Sequence, residues 1–233
     1  MNGYGSFEDF LAAVDRDGAI AEAQVDLEAA LSRKRLLAGA ALGAGGLLFA
    51  RAGRGRAAGD LAASDVSILN YALVLEYLQA SFYTESERAG ALSGKTAEAA
   101  RVVGAVERAH VKAFQKLLAS KAVKRPMFNF QGVTERQQPF LRTAVAFEDL
   151  AVAAYKGQAP KLQSPAVLAA AVGIHSVEAR HAAWMRELFG ITPAVHAFDE
   201  PASRQKITRV VASTHFIAQR PRMTGRSKPR YTG

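Results

Sequence analysis

Two Glu-x-x-His motifs are the part of this chain with the clearest potential for chemistry, and they run from Glu107 to His110 and from Glu178 to His181. Positions i and i+3 of a helix project from the same face, so each motif predicts a carboxylate and an imidazole that bind one ion together. A single motif of this kind is most often part of a solvated helix face. Two of them in one chain are much stronger evidence for a metal site.

A further glutamate precedes each motif at nearly the same distance. Glu76 lies 31 residues before Glu107, and Glu148 lies 30 residues before Glu178. Runs of Ala, Leu, Val and Phe come directly before Glu76 and Glu148, which is not expected of a solvated face. The chain therefore contains two matching halves, and this repeat predicts a bundle with pseudo-two-fold symmetry.

The repeated residues predict a dinuclear metal site. Four carboxylates balance the charge of two divalent ions, whereas four buried carboxylates without ions would be severely destabilising unless protonated. The chain has no Cys, so the ligands are oxygen and nitrogen donors, which suit two Fe ions, with Mn as the alternative. The predicted ligands, which would also act in catalysis through the metals, are Glu76, Glu107, His110, Glu148, Glu178 and His181. A polar core that satisfies its own hydrogen bonds is the alternative.

Three other residues are candidates for a supporting role at this site. Tyr83 and Tyr155 each follow the first glutamate of their half by seven residues, so they lie two helical turns away on the same side. They are positioned to hydrogen-bond a ligand carboxylate or to relay an electron, although core packing is the commoner role of such tyrosines. His175 lies one turn before Glu178 and is placed either to orient a ligand or to lie on a helix face without that role.

Helical patterning dominates from residue 60 onward and predicts an all-α fold. We expect helices over about 65–89, 96–119, 134–156 and 164–189, and a fifth, shorter helix over 202–218. The predicted end signals are a Ser64-Asp65 cap, a capping box from Thr134 to Gln137, and Gly157 and Gly190 as helix stops. The first two helices and the last two are each joined by a short connection, whereas a long connection at 121–133 joins the second helix to the third. This order of lengths predicts two antiparallel hairpins joined by a crossover.

Four segments of the chain resemble the ferritin-like domain family, and in particular its desiccation-related and exported bacterial members. These segments are Leu69–Tyr83, Glu107–Phe114, Phe147–Gly157 and His175–Leu188. The resemblance covers about residues 62–218 and implies a ferritin-like four-helix bundle with an iron site at the six ligand positions. It implies an activity less directly, because related bundles oxidise iron, remove peroxide or hydroxylate substrates. The leading expectation is a protein that oxidises Fe(II) or consumes O₂ or peroxide. The alternative is a non-enzymatic stress protein with structural metal or none.

The formal net charge of +9 is unevenly distributed along the chain. Residues 1–59 carry 7 basic and 7 acidic side chains, residues 60–218 carry 18 and 14, and residues 219–233 carry 5 and none. The body is therefore only mildly basic, and no specific nucleic-acid partner is expected. The tail at 219–233 is expected to be disordered and to contact anionic surfaces at most.

The first 59 residues are expected to form a separate region ahead of the ferritin-like domain at 60–218. The sequence SRKRLL at 32–37, an Ala/Gly-rich run to residue 50 and small residues near position 58 resemble a twin-arginine export signal. Lys34 stands at the place of the second arginine. The prediction is export to the periplasm or cell envelope, with a membrane-surface anchor or a cytoplasmic location as alternatives. A homodimer is the one assembly that we consider.

Overall fold

The computed structural model describes residues 61–218, and this part of the chain is mostly helical. The helices are α1 (Ala63–Ala89), α2 (Gly94–Leu118), α3 (Gln137–Gln158), α4 (Pro165–Phe189) and α5 (Arg204–Ser213). The predicted all-α fold is confirmed. None of the helices within 61–218 combines the length and the apolar character needed to cross a bilayer. The predicted export signal and the predicted basic tail lie outside the described residues.

Two helical hairpins form the bundle. Helix α1 packs along α2, and α3 packs along α4, while looser contacts join α1 to α3 and α2 to α4. The connection from α2 to α3 is long, whereas the two connections within the hairpins are short. The predicted arrangement of two antiparallel hairpins joined by a crossover is therefore confirmed. Helix α5 packs against α3.

The crossover is part of the core rather than a surface loop. Phe128 and Phe130 are fully buried in it, and Phe130 packs edge-on against Phe82 of α1. The crossover also contains strand β1 (Met127–Phe128), which pairs antiparallel with strand β2 (Ile217–Ala218) after α5. These contacts fix the crossover across the bundle, so that the two hairpins hold one position relative to each other.

The helix-end signals were predicted with mixed success. Gly190 adopts a left-handed conformation after α4, as expected. The Ser164 hydroxyl accepts from Val167 N at the start of that helix. The Ser64-Asp65 cap is wrong, because α1 already begins at Ala63. The buried Asp65 carboxylate instead accepts from the backbone N–H groups of the connection before α4, at Gln163 and Ser164.

Three other predicted boundaries are wrong. The capping box does not form, because the hydroxyl of Thr134 donates to Glu85 of α1 and α3 begins only at Gln137. Gly157 does not end a helix, because α3 continues to Gln158. The missing side chain of Gly157 instead makes room for the carbonyl oxygen of Ala202. The fifth helix is shorter than 202–218, because the chain turns after Ser213 into β2.

Candidate metal centre

The six predicted ligands converge in the middle of the bundle, and we call them together the carboxylate–histidine centre. Glu76 comes from α1, Glu148 from α3, and one Glu-x-x-His motif each from α2 and α4. The four glutamates are fully buried, and the two histidines are almost so. The i and i+3 spacing turns the glutamate and histidine of each motif toward the axis, as the sequence predicts.

The donor atoms form two overlapping groups. One group consists of Glu76, Glu107, His110 and Glu178, and within it one donor atom from each residue lies within 4.8 Å of the others. The second group, whose donor atoms lie within the same distance of one another, consists of Glu107, Glu148, Glu178 and His181. Glu107 and Glu178 therefore belong to both groups, while each of the other four residues belongs to one.

The histidine nitrogens face the carboxylates without forming aligned hydrogen bonds. His110 Nδ1 lies 3.2 Å from Glu76 Oε2 and 3.2 Å from Glu178 Oε1. His181 Nδ1 lies 2.9 Å from Glu107 Oε1. Both nitrogens nevertheless lack a hydrogen-bond partner among the described residues. Such close approach without hydrogen bonding is typical of donors arranged around an ion rather than around each other.

Most of the unpartnered buried polar atoms of the described residues lie in this centre. Within residues 61–218, eleven buried side-chain atoms lack a hydrogen-bond partner, and eight of them belong to the six predicted ligands. Both oxygens of the shared carboxylates Glu107 and Glu178 are among the eight, whereas Glu76 and Glu148 contribute one oxygen each. Buried polar groups in folded proteins are normally paired. The donor set therefore fits metal binding.

Two tyrosines hold the remaining oxygens of the outer carboxylates. Tyr83 donates to Glu148 Oε1 at 2.5 Å, and Tyr155 donates to Glu76 Oε1. Each tyrosine thus bonds the glutamate of the opposite half of the repeat, not the one on its own helix. The sequence analysis named a hydrogen bond to a ligand carboxylate as one role for these tyrosines. It did not predict that each tyrosine bonds the glutamate of the other half.

Burial and mutual repulsion shift the protonation of the metal-free centre. Burial raises the pKa of Glu76 to about 7. The pKa of Glu178 is raised well above its usual value by burial and by the neighbouring charge of Glu107. Burial lowers the pKa values of both histidines, but the surrounding carboxylates outweigh it and raise them well above their usual range. The metal-free centre therefore retains protons that divalent ions would displace.

His175, the third candidate for a supporting role, does not join either donor group. Its side chain is partly buried, and Nε2 has no hydrogen-bond partner in the part of the chain that the structure describes. Burial lowers the pKa of His175, while Asp199 acts in the opposite direction. The electrostatic influence of Asp199 thus relates His175 to the segment after α4 rather than to a ligand.

One supporting pair next to the centre was missed from the sequence. Arg186 of α4 forms a two-pronged ion pair with Asp149 of α3, with N–O distances of 2.8 and 2.7 Å. Asp149 directly follows Glu148, so this pair ties the two helices together beside a predicted ligand. Asp149 next to Glu148 was the sequence feature that could have indicated this ion pair. Its partner could not be predicted, because the partner depends on how α3 and α4 are aligned.

The comparison with protein families agrees with this architecture. A family model described as a ferritin-like domain matches residues 64–190, which is more than half of the 233-residue chain. The chain belongs to the ferritin-like domain family. In this ferritin-like protein the matched span runs from the second residue of α1 to the end of α4 and contains the whole carboxylate–histidine centre, whereas α5 and β2 lie beyond it. No curated protein matches the sequence. The finer resemblance to desiccation-related and exported members stays a prediction.

Proposed function

We propose that this ferritin-like protein binds two iron ions in the carboxylate–histidine centre and oxidises Fe(II), or consumes O₂ or peroxide, in stress protection. The observation that carries the proposal is the convergence of eight unpartnered buried donor atoms from six residues. Leaving a buried polar group unpaired costs about 1–3 kcal/mol, and more for a charged group. A polar core that serves only stability would pair these atoms with each other, whereas bound ions pair them all.

The two donor groups support a separate set of ligands for each proposed ion. Glu76 and His110 would hold one ion, Glu148 and His181 would hold the other, and the shared carboxylates Glu107 and Glu178 would contact both. Four carboxylates then balance two divalent charges, and oxygen and imidazole donors suit Fe(II) as well as Mn(II). When bound, two Fe(II) ions supply two electrons, which with two protons reduce O₂ to hydrogen peroxide, or reduce hydrogen peroxide to two water molecules.

The side chains of the protein prepare the centre for this chemistry. With its proton on Nε2, each of the two histidines would present the lone pair of Nδ1 to an ion. Tyr83 and Tyr155 occupy one oxygen of Glu148 and Glu76 and leave the other oxygen directed at the centre. The protonated carboxyl groups and imidazoles would release protons as ions bind, so binding would be coupled to proton release.

Metal content and oxidation kinetics of the full-length protein test the proposal. The metal-free protein is loaded anaerobically with Fe(II), analysed for bound iron, and mixed with O₂ or with hydrogen peroxide in a stopped-flow instrument. We expect two ions per chain and oxidation with at least one of the two oxidants. The variant Glu178→Gln removes a carboxylate that both groups share, and we expect it to lose bound iron and at least about 100-fold in oxidation rate.

Glu187→Gln is the matched control, because Glu187 is an exposed glutamate on the same helix. It should bind and oxidise iron like the natural protein. Two bound ions without oxidation would favour the non-enzymatic stress protein with structural metal. No bound iron or manganese in the folded protein would contradict the proposal. Export, a homodimer and contact of the basic tail with anionic surfaces stay separate predictions.

A further inference from the structure

A small cavity lies between α1 and α3, next to the carboxylate–histidine centre. Its volume is about 20 Å³, measured for the centre of a water-sized sphere. Ile68, Ala72 and Leu162 are partly exposed and form its outer part. Buried Phe114 and Tyr155 also line it. The cavity therefore runs from the surface of the bundle toward its axis.

Tyr155 connects this cavity with the centre. Its ring lines the cavity, while its hydroxyl donates to the ligand carboxylate Glu76. Two other lining residues are neighbours of ligands along the chain, since Leu75 directly precedes Glu76 and Phe114 lies one turn after His110. One side chain thus separates the cavity from the donor atoms.

The lining offers too few polar partners to hold water. Gln158 Nε2 donates to the Gly157 carbonyl, and the hydroxyl of Tyr155 is used by Glu76. The hydroxyl of Tyr71 remains as the one buried side-chain group of the lining without a partner. A buried water needs about two to four polar partners and roughly 10–15 Å³. The cavity is large enough for a diatomic molecule, but its walls favour an apolar one.

We propose that this cavity binds O₂ and is the route by which O₂ reaches the carboxylate–histidine centre. The inference rests on the proposed oxidation function and specifies its oxidant. Hydrogen peroxide and metal ions would lose their hydration in this cavity without gaining equivalent partners. They have another approach at the histidines, whose side chains are 11% and 8% exposed. The route for O₂ is thus separate from the route for ions.

Binding of O₂ is tested first on the metal-free protein, where no turnover interferes. Dissolved O₂ is paramagnetic and accelerates the NMR relaxation of nearby methyl groups. Under a few bar of O₂, compared with N₂, we expect the largest acceleration at the methyl groups of Leu75, Ala154 and Ala171, which line the cavity. Leu117 and Ala182 are buried to a similar degree elsewhere in the bundle and serve as the reference. Equal acceleration in both sets would overturn the proposal.

Variants that fill the cavity test the route. Ala72→Leu places a larger side chain at its partly exposed outer part, and Ala72→Val is the milder version if the first does not fold. We expect the variant to lose the selective NMR effect and to raise the KM for O₂ about tenfold with little change in kcat. Its rate with hydrogen peroxide should be unchanged.

Ala153→Leu is the matched control, because Ala153 is a partly buried alanine that does not line the cavity. An unchanged KM for O₂ in a folded Ala72 variant would overturn the O₂ route and leave the oxidation function intact. Failure of the natural protein to oxidise Fe(II) with either oxidant would instead contradict the proposed function, and the NMR comparison would still decide whether the cavity binds O₂.

Discussion

The phenol hydroxyl of Tyr83 donates a 2.5 Å hydrogen bond to Glu148, which lies 65 residues further along the chain in the other hairpin. Tyr155 makes the reciprocal bond to Glu76. The two bonds cross between α1 and α3, which also contact each other through the stacked rings of Phe82 and Phe140. They therefore join the two halves of the repeat and orient the two outer carboxylates at the same time.

Tyr155→Phe tests whether these tyrosines position the ligands. The change removes the hydroxyl and leaves one oxygen of the buried Glu76 unpaired, so we expect Fe(II) or Mn(II) affinity to fall about 10–100-fold. Affinity is measured by competition with a chelator of known strength. We expect Tyr83→Phe to have a similar effect through Glu148, because the two halves are related by pseudo-symmetry.

Tyr77→Phe is the control for both variants. Tyr77 is also a buried tyrosine of α1, but its hydroxyl contacts Gln115 and the carbonyl of Val123 rather than a ligand. It should lose some stability and keep its metal affinity. Equal loss of affinity in all three variants would show that general loosening of the bundle, not positioning of the carboxylates, is responsible.

The sequence was sufficient to predict the parts of the fold that local patterns control. The i and i+3 spacing places the glutamate and histidine of each motif on one face of a helix wherever that helix lies. The length of the connection between α2 and α3 similarly requires a crossover, because a short up-and-down link does not need so many residues. Both the bundle and the meeting of the six residues at its axis follow from these two features.

The sequence was not sufficient where the partner is distant in the chain. The local sequence predicts Thr134 as a helix cap, but its hydroxyl donates a hydrogen bond to Glu85 of α1 instead. Tyr83 lies two turns from Glu76 on the same helix, yet it bonds Glu148. In both cases a tertiary contact outcompetes the local one, and its register depends on how the hairpins are aligned. The same alignment of the hairpins determines which glutamates belong to one donor group and which belong to both.

Single substitutions should separate the two ion positions. Glu148 belongs to one donor group only, so Glu148→Ala leaves the group of Glu76, Glu107, His110 and Glu178 complete. We expect this variant to bind one ion per chain. Glu107→Ala removes a carboxylate from both groups, and we expect it to bind neither ion tightly. Elemental analysis of the folded variants after removal of free metal measures both results.

Glu98→Ala is the control for these substitutions, because Glu98 is exposed on α2. It should retain two ions. Retention of one ion by Glu107→Ala and by Glu148→Ala alike would contradict the assignment of Glu107 as a shared ligand.

Gly157→Ala tests the close approach of α3 to the segment before α5. A Cβ at this position would clash with the carbonyl oxygen of Ala202. The N–H of Ala202 donates to the carbonyl of Ala153 in the preceding turn of α3. In an ordinary helix interior the change from Gly to Ala stabilises by about 1 kcal/mol. Here we expect destabilisation by about 1–3 kcal/mol, because the backbone of one segment must move. Urea unfolding of the metal-free protein measures the effect, and a stabilised variant would contradict the observed contact.

Removal of metal should make the stability of the protein depend on pH in a defined direction. Burial raises the pKa of Glu76 from the 4.5 that is usual for a glutamate to about 7 in the folded protein, and the pKa values of Glu178, His110 and His181 are also raised in the folded state. A raised folded pKa contributes stability that is complete below the unfolded pKa and is lost as pH rises through the folded one. The metal-free protein should therefore lose stability between about pH 5 and pH 8, by up to about 1.4 kcal/mol per pH unit for each group that titrates.

Urea midpoints with a chelator present measure this loss of stability. With saturating Mn(II) the slope should reverse, because ions bind the deprotonated ligands and stabilise the folded state more as pH rises. The same slope with and without metal would mean that these four groups are not the ones that bind the ions.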